Sequence, residues 1–236
     1  MQLIEYNEYL IKLPYELFNR TERENFLEEV AKKELYSMRY MGSYSDSVNM
    51  KNLDVLYYHN IQDVVKKFLV DGKLPDKHFL YVDTHPIKHE IVNRYFSKLF
   101  DFLGLNKPYK FQTKIISVFG TNDDGTGNIL PHLDYPGQNA CCINIPLEGD
   151  FSPPIVWYDD LGNELEKISY QDNIVVLDVN KLHSVDNLIT TGRFNIKIKI
   201  FLTYDDLKER FLTKAKSENF KLVYKEPSVK GKNNGT

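Results

Sequence analysis

Arg193-Phe194-Asn195-Ile196-Lys197-Ile198-Lys199-Ile200-Phe201-Leu202 is the most ordered stretch of this chain. Its even positions are all apolar, and its odd positions from 193 to 199 are Arg, Asn, Lys and Lys. Period two means a strand with one buried and one polar face. The polar face is expected to line the mouth or interior of a sheet structure at Arg193 and Asn195, and to meet solvent at Lys197 and Lys199.

Working back from that strand, short apolar runs punctuated by turns predict further strands near 112–119, 129–135, 140–147, 154–159, 164–168 and 173–179. Asn122-Asp123-Asp124-Gly125 and Asp159-Asp160-Leu161-Gly162-Asn163 supply turn chemistry between them. Short strands at such intervals predict a jelly roll or sandwich. Before Pro108 the texture is mainly helical after an extended opening. Thr21-Glu22-Arg23-Glu24 has the form of a capping box for a helix to about Met38. Asn60 to Val70 reads as a short helix, and Pro86 to Gly104 as a third with Ile87, Ile91, Val92, Tyr95, Leu99 and Phe102 at helical spacing. Asp205 to about Phe220 reads as helix, followed by a polar tail from Pro227 to Thr236.

At 236 residues, with 42% hydrophobic and 27% charged residues, the chain suits one folded domain. The expected fold class is α+β, with N-terminal helices packed on one sheet of the jelly roll. Residues 1–108 would form the mainly helical cover, 109–204 the core, and 205–236 the C-terminal helix and tail. A net charge of −3 gives no electrostatic footprint for nucleic acid. No apolar run is long enough for a membrane helix, and no signal sequence precedes the fold, so a cytoplasmic protein is expected. Cys141 and Cys142 are adjacent, which offers no disulfide framework and fits packing residues.

The chemistry concentrates at Pro131-His132-Leu133-Asp134-Tyr135 and at Leu182-His183-Ser184-Val185-Asp186-Asn187. His132 and Asp134 lie two apart, on one face of an extended segment, so both can reach one metal. His183 follows an apolar strand, and Arg193 stands ten residues beyond it in a chain with six arginines. Two histidines and a carboxylate make a facial triad with open positions, the preferred arrangement for non-haem Fe(II). A guanidinium beside it is a bidentate fork for an acid. The rival metal pair is His85 and His89 at i,i+4 spacing, which fits surface or capping residues better. The segment Gly120 to Asn128 reads as a turn-rich loop able to serve as a lid.

At these residues the segment from about Lys114 to Tyr204 resembles the double-stranded β-helix (a cupin-like jelly roll) of the 2-oxoglutarate and Fe(II)-dependent oxygenases. The prolyl-hydroxylase-like and phage-encoded members are closest in style. The resemblance implies that His132, Asp134 and His183 hold Fe(II), and that Arg193 binds the distal carboxylate of 2-oxoglutarate. It places Asn195 where relatives often carry a hydroxyl partner, with Asn144 as a second cosubstrate contact. It also implies an oxidoreductase, a dioxygenase that uses O₂ and converts 2-oxoglutarate to succinate and CO₂ as a substrate is hydroxylated; the retained Asp134 favours hydroxylation over halogenation. Many relatives have a Gly-rich segment where this chain has Ser152-Pro153-Pro154-Ile155-Val156-Trp157. The first hundred residues match no segment of that family and are expected to help set the substrate, a small molecule or a peptide or protein side chain. A cupin-like metalloenzyme without 2-oxoglutarate, and a non-catalytic jelly-roll binding module, are the alternatives; Arg193 with Asn195 argues against the first, and the complete triad with its arginine against the second.

Overall fold

A computed structural model describes residues 3–31, 36–40, 48–50, 79–84, 86–105, 109–120, 126–135, 137–171, 173–189 and 193–227. In chain order the strands are β1 (Leu3–Tyr6), β2 (Leu10–Leu13), β3 (Tyr36–Tyr40), β4 (Val48–Met50), β5 (Phe79–Thr84), β6 (Phe111–Gly120) and β7 (Thr126–His132). They continue as β8 (Cys141–Gly149), β9 (Ile155–Tyr158), β10 (Glu164–Ile168), β11 (Ile174–Leu177), β12 (His183–Ile189), β13 (Arg193–Ile200) and β14 (Lys221–Tyr224). The α-helices are α1 (Arg20–Ala31), α2 (His89–Phe102) and α3 (Tyr204–Ser217).

Two sheets form. The larger has the order β14-β1-β2-β11-β8-β13-β6-β5-β3-β4, and the smaller β10-β9-β12-β7. From β6 to β13 the chain passes back and forth between them, so β6, β8, β11 and β13 face β7, β9, β10 and β12. The alternation in β13 sets which side faces which layer. Phe194, Ile196, Ile198 and Ile200 are buried in one core with Phe18 and with Phe26 of α1, Phe96 and Leu99 of α2, and Leu207 and Phe211 of α3. The opposite side of the large sheet meets the small sheet over a second core that includes Val118, Cys142, Trp157, Val175, Leu177 and Val185. Helices thus cover the outer side of the large sheet, as the apolar positions require.

The N-terminal third departs from the expected mainly helical cover: its described residues include five strands that extend the large sheet at both edges. Tyr36–Tyr40, whose first residues to Met38 are expected from the sequence to end a helix, pairs with β5 instead (Met38 with Val82). The capping box sits two residues earlier than Thr21-Glu24. Asn19 Oδ1 accepts from the Glu22 amide and Glu22 Oε2 from the Asn19 amide, each at 3.0 Å, which leaves Arg20 inside the helix to pair with Glu24 at 2.8 Å. Helix α2 begins at His89 rather than Pro86, because the Ile87 amide donates to Thr113 O at 2.8 Å and holds that segment extended. It ends as expected. Gly104 adopts φ +74°, and the Leu105 and Gly104 amides return to Phe100 O and Asp101 O, the paired bonds of a Schellman motif. The expected helix at Asn60–Val70, the loop at 121–125, His85 and the tail beyond residue 227 lie outside the described residues.

Candidate metal centre and its buried arginine

The smaller sheet brings the two sequence-distant motifs together. β12 pairs antiparallel with β7 so that His183 stands opposite His132, with ring centroids 4.4 Å apart. Asp134, two residues past the strand end, is anchored by its amide donating to Val179 O at 3.2 Å. His132 Nε2 lies 3.3 Å from Asp134 Oδ1, and His183 Nε2 lies 4.0 Å from Asp134 Oδ2. One ligand atom from each of the three residues falls within 4.8 Å of the others, a cluster able to hold a metal ion. His183 Nδ1 is 2.9 Å from Lys181 O, so that nitrogen carries the proton and Nε2 presents a lone pair. Burial pushes the His183 imidazole down to about 4, against the pull of Asp134, and keeps it neutral near pH 7. Burial works to raise the Asp134 carboxyl, but Lys197, the His132 hydrogen bond and His183 outweigh it and hold the group well below the usual carboxylate range.

Lys197 and Lys199 do not meet solvent as expected. Both project from the inward side of β13 that also carries Arg193 and Asn195, into the space between the sheets. Lys197 Nζ sits 2.5 Å from Asp134 Oδ2. Lys199 is 6% exposed and donates to Gln138 Oε1 at 2.6 Å. The signal was in the sequence: alternation carries positions 197 and 199 to the same side as 193. What the pattern alone does not give is that this side faces another sheet.

Further down β13, Arg193 is 5% exposed and Asn195 3%. The rings of Tyr170 and Phe151 each lie 5.7 Å from the guanidinium carbon. Among the described residues, Arg193 Nε and Nη2 and Asn195 Nδ2 are buried without a hydrogen-bond partner, as is the acceptor Asn144 Oδ1. Asn144 lies opposite Lys197 on β8, and its amide nitrogen reaches Tyr170 Oη at 3.5 Å. Buried donors are nearly always paired in folded proteins, and the three orphaned donors of Arg193 and Asn195 are of the type that suits an anionic group. The N, N, O donor set above it suits Fe(II) better than calcium or magnesium, which prefer all-oxygen shells.

His89, half of the rival metal pair, has a packing role. Its Nε2 is 2.9 Å from Phe111 O and its ring stacks on Phe111 with centroids 4.3 Å apart. Cys141 and Cys142 are fully buried free thiols. Among the described residues no helix is long and apolar enough to cross a membrane.

No protein-family model and no curated protein sequence matches the chain. Its fold is similar to that of an oxidoreductase of the 2OG-Fe(II) oxygenase family from Burkholderia pseudomallei, with a TM-score of 0.50 and 12% identity over 81% of this chain and 84% of that one. Weaker likenesses are to HygX of Streptomyces hygroscopicus, solved with nickel and 2-oxoglutarate (TM-score 0.41, 10% identity, 83% of each chain), and to YcfD, a ribosomal oxygenase of Escherichia coli (TM-score 0.40, 11% identity, 95% of this chain and 57% of that one). The fold assignment rests on the first.

Proposed function

We propose that the protein is a 2-oxoglutarate-dependent non-haem Fe(II) dioxygenase that hydroxylates a small metabolite or a peptide or protein side chain. The observation that carries this reading is the pairing of a His-Asp-His cluster with a buried arginine whose donors have no partner, on facing sheets. The strand alternation from β6 to β13 agrees with a double-stranded β-helix. In this reading His132, Asp134 and His183 hold the iron, and Arg193, with Asn195 and Asn144 beside it, holds 2-oxoglutarate. Iron and 2-oxoglutarate, when bound, supply the oxidising chemistry: O₂ is consumed, 2-oxoglutarate becomes succinate and CO₂, and one oxygen atom enters the substrate.

The chain's own residues set the conditions for this. His183 offers Nε2 because Lys181 O takes its Nδ1 proton. Lys197 keeps Asp134 ionised and occupies Oδ2, leaving Oδ1 beside His132 Nε2. Arg193 gives the distal carboxylate a charged, desolvated fork, which strengthens the pairing. Val175, Leu177, Val185 and Trp157 line the inter-sheet space with apolar surface that excludes bulk water.

The test is direct. Anaerobic protein with Fe(II) and 2-oxoglutarate should develop a weak visible charge-transfer band, and admission of O₂ should yield uncoupled succinate. Absence of both refutes the oxygenase and leaves the cupin-like enzyme or the binding module. No structural observation favours either of those, since neither needs a buried carboxylate fork.

A further inference from the structure

Three cations share the inward side of β13, and two of them have tasks. Lys197 is paired with Asp134, and Arg193 faces the orphaned-donor region. At about 3.3 Å per residue, Lys199 stands ~20 Å along the strand from Arg193 and ~7 Å beyond Lys197. Lys197, which touches the cluster at Asp134, thus lies between Lys199 and the arginine along the strand. The Lys199 ammonium contacts Gln138 Oε1 at 2.6 Å, the Tyr135 ring at 3.6 Å and the Phe201 ring at 4.5 Å, with Asp134, Lys197 and Lys110 acting on it only from beyond contact. Among the described residues no carboxylate lies within ion-pair distance of it. Gln138 and Tyr135 belong to one turn, closed by the Gln138 amide donating to Tyr135 O at 3.0 Å, and that turn follows Asp134 directly. The Asn180 side-chain amide donates to Gln138 O at 2.9 Å and ties the turn to the loop that leads to His183.

A lysine so little exposed with no carboxylate at ion-pair distance among the described residues is costly, and burial, with Lys197 and Lys110 outweighing the more distant Asp134, pulls its ammonium below the ordinary lysine range. Such a charge is retained where a ligand brings the missing anion. We propose that Lys199, with Gln138 and the face of Tyr135, binds a carboxylate of the substrate that is oxidised, which makes that substrate a carboxylic acid. This rests on the oxygenase reading above. One ammonium between aromatic rings offers a single positive charge, which matches a carboxylate better than a doubly charged phosphate.

The test measures substrate-stimulated succinate formation with a panel of free amino acids and simple carboxylic acids, each paired with its carboxamide, and with phosphate monoesters as a third arm. At least one acid should stimulate turnover while its amide does not. For that acid Lys199→Met should raise KM about ten- to hundredfold with kcat changed little, and Lys199→Arg should recover part of the loss. The 2-oxoglutarate Kd, read by anaerobic tryptophan quenching, should be the same in Lys199→Met as in the parent protein. The proposal falls if no acid stimulates, if amides or phosphate esters serve as well, if Lys199→Met leaves KM unchanged, or if it weakens 2-oxoglutarate binding instead. Uncoupled succinate without substrate separates the two levels. If it is present, such a failure strikes Lys199 alone; if it is absent, both readings fall.

Discussion

Arg193→Met tests whether the buried guanidinium serves a ligand or the fold. In the structure it is 5% exposed, flanked by the rings of Phe151 and Tyr170, and, among the described residues, left with two orphaned donors. A hydrogen bond to a charged group contributes ~1.5–3 kcal/mol, so two such bonds to a carboxylate, with some overlap between them, amount to ~3–4 kcal/mol. At about 1.4 kcal/mol per tenfold, the variant should bind 2-oxoglutarate ~10²–10³-fold more weakly. Stability should move the other way or not at all. Methionine fills a similar slot without a desolvated charge, and replacing buried charges by apolar groups is often neutral or stabilising. The melting temperature should hold or rise by a few degrees, at about 2–4 °C per kcal/mol for a chain of this size. Titration calorimetry of 2-oxoglutarate into anaerobic Mn(II)-loaded protein reads the first quantity, and scanning calorimetry the second. A 2-oxoglutarate Kd within threefold of the parent protein would refute the cosubstrate role, and a collapse in melting temperature would assign Arg193 to the fold.

Other outcomes follow from the same structure. His132→Ala and Asp134→Ala should each abolish succinate formation; His132→Ala, outside both apolar cores, should shift the melting temperature by no more than about 4 °C, whereas Asp134→Ala, which removes the carboxylate paired with the Lys197 ammonium, should lower it further; full activity in either would remove the ligand assignment. Burial holds the Cys142 thiol at about 12, so at pH 8 only ~1 in 10⁴ is thiolate, and iodoacetamide should label neither cysteine until the protein unfolds, as read by intact mass. Phe96→Ala should cost ~3–5 kcal/mol in urea unfolding, because Phe96 is fully buried with rings of Phe18 and Phe26 at 4.6 and 5.1 Å. Asn19→Ala, which breaks the reciprocal cap of α1, should cost ~1 kcal/mol by the same measurement.

Local pattern made the sheet core readable. β10 lies at 164–168 as expected, and β6, β8, β9, β11 and β13 lie within a few residues of their expected bounds, because period two and turn residues are encoded locally. The triad was readable too, since His132 and Asp134 are near neighbours and His183 follows a conspicuous apolar run. What local pattern could not carry was partnership. Tyr36–Tyr40 forms a strand because β5 pairs with it, a contact more than forty residues away in sequence. Lys197 and Lys199 look like solvent residues until the opposing sheet is known to stand over them. Hydrophobic periodicity reports that one side of β13 is apolar; whether the polar side meets water or a second layer depends on β7 and β12.

The edge of the large sheet carries a consequence for synthesis. β1 is hydrogen-bonded to β14 as a parallel pair, Leu3 opposite Lys221 and Tyr6 opposite Tyr224, and β2 pairs with β11, Ile11 opposite Val176. A ribosome delivers β1 and β2, which pair with each other, more than 150 residues before their outer partners β14 and β11, which at ~5–20 residues per second is an interval of roughly ten to forty seconds. Through that interval the apolar Leu10, Ile11 and Leu13 have no sheet to join. The nascent chain therefore carries the β1–β2 hairpin with both outer edges unpaired until β11 and then β14 emerge, the stage at which a chaperone has the most to protect.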